Sequence, residues 1–291
     1  MKIKNLSDVT DAQLHEAFLN AFSDYEIKID MPFEKFKSIT YAKDYSPELS
    51  IGSFDDDELT GFILVGLREL DGSRTVYDIA TGVTAGNRGR GIGSILLEKL
   101  LESLNDSGIL KFYLEVLENN KPARQLYEKH GFKVNRRLAC YELERTAIAV
   151  ETGLNCGVES GSDAAAVRKA NPFFYHSYNP SWQNTIETWH NSESEHEAVT
   201  LKDGGKLAAY GIIHKKGGSV LQFGVHPDHR GDSTAAELLR QLIECSEAEI
   251  IRFINVEEGC RLCGFLEESG FHNHVNQFEM IYDFDSVPKM N

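Results

Sequence analysis

The residues whose types and spacing most plainly suit chemistry are Asn87-Arg88-Gly89-Arg90-Gly91-Ile92-Gly93-Ser94. A strand-like run, TVYDIATGV, ends just before them, and the helical run ILLEKLLESL grows out of them. The first amides of a helix have no intrahelical acceptor, and the helix dipole adds partial positive charge there. Such an end is suited to holding phosphate. Glycine at 89, 91 and 93 removes Cβ atoms that would block close backbone approach, and Arg88 and Arg90 add charge. The glycines alternate, so this is not the G-x-G-x-x-G of dinucleotide sites, and no Gly-Lys-Ser/Thr follows as in a P-loop. A tight strand-to-helix turn with incidental arginines is the plainer alternative.

Cysteine and histidine offer less. There are five cysteines, Cys140, Cys156, Cys245, Cys260 and Cys263, and an odd count does not suggest a disulfide framework. Cys260 and Cys263 form one C-x-x-C, with His272 and His274 nearby. A structural zinc site needs four converging ligands, and no second C-x-x-C is present, so no metal is expected. The pair reads as two small apolar residues one helical turn apart on a core-facing stripe. His226 and His229 read as surface histidines for the same want of ligands.

The elements around the glycine loop occur twice. GVTAGNRGRGIGSILLEKLL from Gly82 matches GVHPDHRGDSTAAELLRQLI from Gly224, and LYEKHGF from Leu126 matches FLEESGF from Phe265. Two separated matches at nearly one offset indicate two copies of one fold, joined near 145–156. In the first copy the pattern predicts strand IKNLS and helices DAQLHEAFLNAF and PFEKFKSITYA. Strands LSIGSF, ELTGFILVGLREL and TVYDIATGV follow, then the loop helix and strand KFYLEVLE. Helix KPARQLYEKH comes next, with Pro122 in its first turn and Gly131 just past its end. Strands FKVNRR and ACYELER close the copy. The second copy predicts strands HEAVTLKD, KLAAYGIIHKK, SVLQFGVHP, IIRFINVEE and QFEMIYDF, and helices STAAELLRQLIECS and CRLCGFLEES. The run FFYHSYNPSWQNTIETW reads as an early helical region with Trp182 and Trp189 on one face.

With these elements in place, the chain resembles the GCN5-related N-acetyltransferases. The loop fits that family's first signature as Arg88-x-x-Gly91-x-Gly93. The run LEVLENNKPARQLYEKHGF, about 25 residues on, is similar to its second, through Asn120-x-x-Ala123, Tyr127 and Gly131-Phe132. The resemblance covers most of 1–146, while the second half shares the layout more weakly. It implies an α/β (α+β) protein of two such domains, each a mixed, mostly antiparallel central sheet flanked by helices. The expected division is 1–146, an acetyl-CoA-binding catalytic domain, and 147–291, a degenerate one.

The resemblance also implies roles. Arg88, Gly89, Arg90, Gly91, Ile92, Gly93 and Ser94 would hold the cofactor pyrophosphate, and Thr81, Gly82 and Val83 the acetyl and pantetheine groups. Asn120 would bond the pantetheine arm, or cap its helix, and Ala123 belongs to the same signature. Tyr127 would protonate the departing thiolate, a sensible match since a phenol near pKa ~10 is of comparable basicity. An attacking amine must lose a proton, so Asp78 and Glu115 are candidate bases acting through water, with a surface or structural carboxylate as the alternative for each. Phe22, Tyr25 and Glu26 fall where the family's substrate wall varies.

The second copy has lost parts of this set. Arg90 becomes Asp232, a carboxylate that would repel pyrophosphate, Gly91 becomes Ser233, and Tyr127 becomes Leu266. The expectation is an N-acetyltransferase using acetyl-CoA on a small-molecule or peptide amine, with an inactive second domain. The alternative is an acyl-CoA sensor or regulatory interaction protein. A net charge of −15 argues against nucleic acid and weakly favours a cationic substrate. No apolar run is long enough to span a bilayer and no secretory h-region is evident, so a cytoplasmic location is expected. By analogy with family dimers, the two copies are expected to form an internal pseudo-dimer within a monomer.

Overall fold

The computed structural model describes residues 1–24, 31–70, 72–147, 158–170, 175–231 and 233–286. The first half runs β1 (Lys2–Asn5), α1 (Asp11–Ala21), α2 (Phe33–Ala42), β2 (Ile51–Asp55), β3 (Glu58–Leu70), β4 (Ser73–Val83) and α3 (Ile92–Asn105). It continues through β5 (Lys111–Leu117), α4 (Lys121–Lys129) and β6 (Lys133–Glu144). The second half runs β7 (Glu159–Gly161), α5 (Ala164–Lys169), α6 (Ile186–Asn191), β8 (His196–Asp203), β9 (Lys206–His214) and β10 (Ser219–Val225). It ends with α7 (Thr234–Glu244), β11 (Ile250–Glu257), α8 (Arg261–Glu268) and β12 (His272–Asp283).

Local chemistry accounts for several boundaries. Thr10 and Gln13 form a capping box that starts α1. Asn120 caps α4 by accepting from the Ala123 amide at 3.2 Å, and Pro122 occupies the first turn. Two expectations need correction. FKVNRR and ACYELER are one continuous strand, β6, because Leu138 is buried in the sheet and does not interrupt it. The described part of the run 173–189 holds a 3-10 turn at Trp182–Asn184 and the short α6, so Trp182 and Trp189 do not share a helix. Both indoles are nonetheless buried.

The chain forms two compact units, Met1–Asn135 with Glu279–Asn291, and Arg136–Phe278. This division differs from a cut at 146/147, because each unit contains a strand segment from the far half of the sequence. In the first unit β1, β2, β3 and β4 pair antiparallel in that order, and β4 pairs parallel with β5. The end of β12, from Glu279, lies beside β5. There Tyr282 packs its ring on Phe132 at 5.4 Å, and Asn135 Nδ2 donates to Glu279 at 2.6 Å. In the second unit β7 to β10 are antiparallel neighbours in order, β10 pairs parallel with β11, and β11 pairs antiparallel with residues 138–144 of β6. Ala139, Tyr141 and Leu143 of that segment are buried with Leu238 and Leu242 of α7, Ile251 and Phe253 of β11, and Leu266 of α8. Each large apolar side chain so buried contributes roughly 1.5–3 kcal/mol, which ties the segment to this core. Each unit is therefore a mixed, mostly antiparallel sheet with flanking helices.

Candidate active site

The site begins where β4 and β5 part. Their parallel pairing covers only Thr75 to Tyr77 against Lys111 to Tyr113. β4 continues to Val83 against β3, with a bulge at Ile79 between Asp78 and Ala80. Beyond Tyr77 the edge of β4 therefore opens away from β5, leaving backbone groups able to pair with something else.

Asp78 is the first residue past the split and is 7% exposed. Its Oδ2 accepts from Thr81 Oγ1 at 2.6 Å and from the Tyr127 hydroxyl at 3.1 Å. Its Oδ1 is buried with no hydrogen-bond donor among the described residues. Burial lifts the carboxyl to about 6, against the pull of Thr81, Tyr127 and Lys43 in the other direction. Asp78 and Tyr127, 49 residues apart, thus meet in a hydrogen bond. Glu115 is placed differently, because its Oε2 accepts from the Tyr77 hydroxyl. Burial and that carboxylate hold the Tyr77 phenol well above its ordinary range.

Lys43 is a residue that motif reasoning missed. It follows α2, sits over the Tyr77 ring at 5.4 Å, and interacts electrostatically with Glu115 and Asp78. Burial holds its ammonium below the ordinary range, against those two carboxylates. Its backbone is pinned from β3. A Cβ on Gly66 would lie 2.1 Å from the Lys43 carbonyl oxygen, and Arg68 grips the neighbouring Asp44 at 2.5 Å and the Ala42 carbonyl at 2.8 Å. No local sequence signal marks Lys43, since its partners come from β4 and β5.

The glycine loop leads into α3 as expected. Gly89 and Gly91 have φ of 75° and 76°, a left-handed backbone that glycine adopts without strain. A Cβ at either would meet nothing within 4 Å. Gly91 is the N-cap residue, no side chain caps the helix, and Ile95 N donates to Gly91 O at 3.1 Å. The amides of Ile92, Gly93 and Ser94 belong to the first turn, which helix geometry leaves without intrahelical acceptors. The Ile92 side chain is buried, and Ser94 Oγ lies 2.7 Å from His130 Nε2, so those two offer backbone rather than side chains.

The Arg88 side chain has partners within the chain. Its guanidinium binds both Asp24 oxygens at 2.7 Å, the Ala21 carbonyl at 2.6 Å and the Val83 carbonyl at 3.3 Å. It holds Asp24 below the ordinary carboxylate range. The side chain therefore ties the loop to the end of α1 and the end of β4. Arg90 donates to Asn87 Oδ1 at 3.1 Å and is exposed. Thr81 and Val83 are half-buried on the open part of β4, and Gly82 is buried between them. Ala123 lies in the first turn of α4. Phe22 packs against Phe18 at 4.7 Å in the apolar cluster of α1. Tyr25 and Glu26 lie outside the described residues.

The second unit repeats the frame with different side chains. β10 and β11 pair only at Ser219–Arg252 and Val220–Phe253, and a bulge at Leu221 matches the one at Ile79. In that register Asp78 corresponds to Val220, Glu115 to Ile254 and Tyr127 to Leu266. Arg230 repeats the anchoring seen at Arg88, donating to the Val225 carbonyl at 3.0 Å and the Tyr175 carbonyl at 3.1 Å. Ser233, at the Gly91 position, has φ −74° and ψ −1°, so the left-handed turn into the helix is lost. Asp232 lies outside the described residues. Among the described residues no three His, Cys, Asp or Glu side chains converge as a metal site, and no helix is long and apolar enough to cross a membrane.

Comparison with known proteins fits this geometry. The model of the acetyltransferase (GNAT) family matches residues 13–132 and again 164–271. Streptothricin acetyltransferase of Streptomyces lavendulae is 34% identical over 77 residues, 26% of this chain and 40% of that protein. The ribosomal protein bS18-alanine N-acetyltransferase of Haemophilus influenzae is 34% identical over 88 residues, 29% of this chain and 54% of its own length. The chain thus spans about half or less of these two relatives. A tandem GNAT protein from the clavulanic acid biosynthesis pathway superposes with a TM-score of 0.73 at 15% identity, covering 99% of each chain. A GCN5-related N-acetyltransferase from Sphaerobacter thermophilus gives 0.72 at 12% identity, covering 100% of this chain and 97% of that one. At such identities the two structures share the fold.

Proposed function

The chain belongs to the GNAT acetyltransferase family, and from that premise we propose that its first unit moves the acetyl group of acetyl-CoA to a primary amine by direct attack. The observation that carries the reading is the buried Asp78–Tyr127 pair at the parting of β4 and β5, with Val220 and Leu266 in its place in the second unit. That contrast supports one catalytic and one non-catalytic copy, here assigned to the first and the second unit.

The residues present fit acetyl-CoA. The uncapped start of α3 and the left-handed turn at Gly91 offer N–H groups and positive dipole to a pyrophosphate. The open edge of β4 at Thr81 to Val83 offers backbone to an extended amide-bearing arm, and Asn120 and Ala123 lie at the start of α4. The bound thioester supplies an activated acyl carbon, and everything else falls to this chain. Asp78, ionised at neutral pH yet more basic than an ordinary carboxylate, takes a proton from the ammonium at Oδ1, directly or through water. Lys43 offsets part of the negative charge of Asp78 and Glu115. Tyr127 donates its hydroxyl proton to the leaving sulfur, and its contact with Asp78 offers a path to regain it. Glu115 is held by Tyr77 and acts on the electrostatics, which leaves Asp78 as the base. The acceptor is a cationic amine on a small molecule or peptide, consistent with the acidic chain.

The test is titration with acetyl-CoA followed by a thiol-release assay over a panel of amines, on wild type and Asp78→Asn. Binding to both proteins, with release only from wild type, supports the enzyme. Binding without release for any amine favours the acyl-CoA sensor. No binding at millimolar acetyl-CoA overturns both.

A further inference from the structure

The transfer chemistry makes no use of the Cys260–Cys263 pair. We propose that this pair is a redox site, a dithiol that a low-molecular-weight disulfide oxidises to an intrachain disulfide. The inference stands on the second unit and does not depend on the reaction assigned to the first.

Cys260 is the N-cap residue of α8 and Cys263 lies in its first turn, with their sulfurs 3.8 Å apart. A disulfide needs about 2.05 Å, so rotation of two side chains closes most of the gap. Two small apolar residues on a core stripe would account for the burial of Cys263 but not for its polar surroundings. Tyr141 of β6 donates its hydroxyl to Glu267 Oε1 of α8 at 3.1 Å and interacts with Cys263. Tyr178, in the segment before α6, interacts electrostatically with both sulfurs, and Cys263 Sγ donates to the Glu257 carbonyl oxygen at 3.3 Å. The contact between the sulfurs couples their ionisation, lowering one thiol as it raises the other.

This arrangement divides the labour. Cys260 is the more exposed sulfur, and Cys263 is 7% exposed. Arg261 and Leu262, the residues between them, line a cavity of about 460 Å³ that also takes in Phe223 and Phe265. Arg261 is exposed there and gives a cation to a carboxylate-bearing disulfide. Cys260 loses its proton to solvent and its sulfur attacks the disulfide R–S–S–R. One R–S⁻ leaves and Cys260–S–S–R remains. Cys263 then attacks Cys260 sulfur, its proton leaves with the second thiol, and the Cys260–Cys263 bond forms. The protein dithiol loses two electrons, and the disulfide is reduced to two thiols.

The experiment incubates the reduced full-length chain with a series of reduced and oxidised glutathione ratios. Free thiols are trapped by alkylation and read by peptide mass spectrometry. The expected result is that Cys260 and Cys263 lose alkylation together as one disulfide-linked peptide. The rate should rise through a pH midpoint below the about 8.5 of a free thiol. Cys263→Ser should slow attack at least tenfold and leave Cys260 as a lasting mixed disulfide with glutathione. Tyr141→Phe, which keeps the ring and removes the donor, should move the midpoint upward. The proposal is overturned if both cysteines stay alkylated at every ratio, or if either pairs instead with Cys140, Cys156 or Cys245. It is equally overturned if the midpoint sits at the free-thiol value and Tyr141→Phe leaves it unchanged.

Discussion

Asp78 concentrates the proposed chemistry in one carboxyl whose environment works against its own charge. Burial raises it to about 6 from an ordinary 3.8, so the folded protein binds this proton more tightly than the unfolded chain does. Its favourable contribution is complete below about 3.8 and is lost as the pH rises through about 6. That rise corresponds to roughly 2–3 kcal/mol. Asp78→Asn should therefore leave the thermal midpoint at pH 7.5 equal to or above wild type by differential scanning calorimetry, while kcat falls by about 10²–10⁴. The acid limb of the wild-type kcat/KM profile should lie near about 6 and vanish in that variant. Tyr127→Phe should lower kcat by about 10²-fold with acetyl-CoA affinity nearly unchanged in titration, since the ring packing on Phe132 survives. A variant with unchanged turnover would remove Tyr127 as the acid.

At the scale of the element, the loop is a backbone device held by a side chain. Arg88 and Arg230 hold the carbonyls of Val83 and Val225 in the two units, five residues back in each case. The arginine common to both copies thus stabilises the turn, even in the copy where the loop has changed. Arg88→Ala should weaken acetyl-CoA binding roughly tenfold by calorimetry, about 1.4 kcal/mol. Asp24→Asn should reproduce part of that loss without touching the loop, whereas a purely phosphate-binding Arg88 would leave Asp24→Asn silent. The β3 strand plays the matching part for Lys43. Gly66→Ala must displace the Lys43 carbonyl, a packing strain of about 1–3 kcal/mol visible as a lowered thermal midpoint and reduced kcat.

For the whole molecule, the division into units sets what can be separated. A fragment 1–146 would carry β6 without its second-unit partners and would lack the β12 segment from Glu279 that lies beside β5. Ala139, Tyr141 and Leu143 would lose the core that buries them. That fragment should show no cooperative thermal transition and no acetyl-CoA binding, and a well-folded, binding-competent fragment would refute this reading of the units. The full chain should bind one acetyl-CoA, because Ser233 has closed the left-handed turn in the second unit. It should sediment as a monomer of 32.6 kDa.

Much of this protein was legible along the chain. The repeat, the glycine loop, the N-cap at Asn120 and nearly every strand and helix follow from spacing of a few residues and from periodicity, which a local pattern carries in full. The motif likewise singled out Tyr127 and the Leu266 that stands in its place in the second copy. Other features depend on which distant segments pair. Nothing local separates β6 and β12 from strands that return to their own half, because burial of Ala139, Tyr141 and Leu143 is decided by what packs over them. Nothing local distinguishes Arg88 as an anchor from Arg88 as a phosphate ligand, since Asp24 and Ala21 lie more than 60 residues away in sequence. Lys43, the Asp78–Tyr127 pair and the raised carboxyl exist only where four segments converge. The sequence by itself determined the elements and the family's chemistry; only the tertiary structure decided which charges are buried together, because desolvation and pairing are properties of neighbours in space.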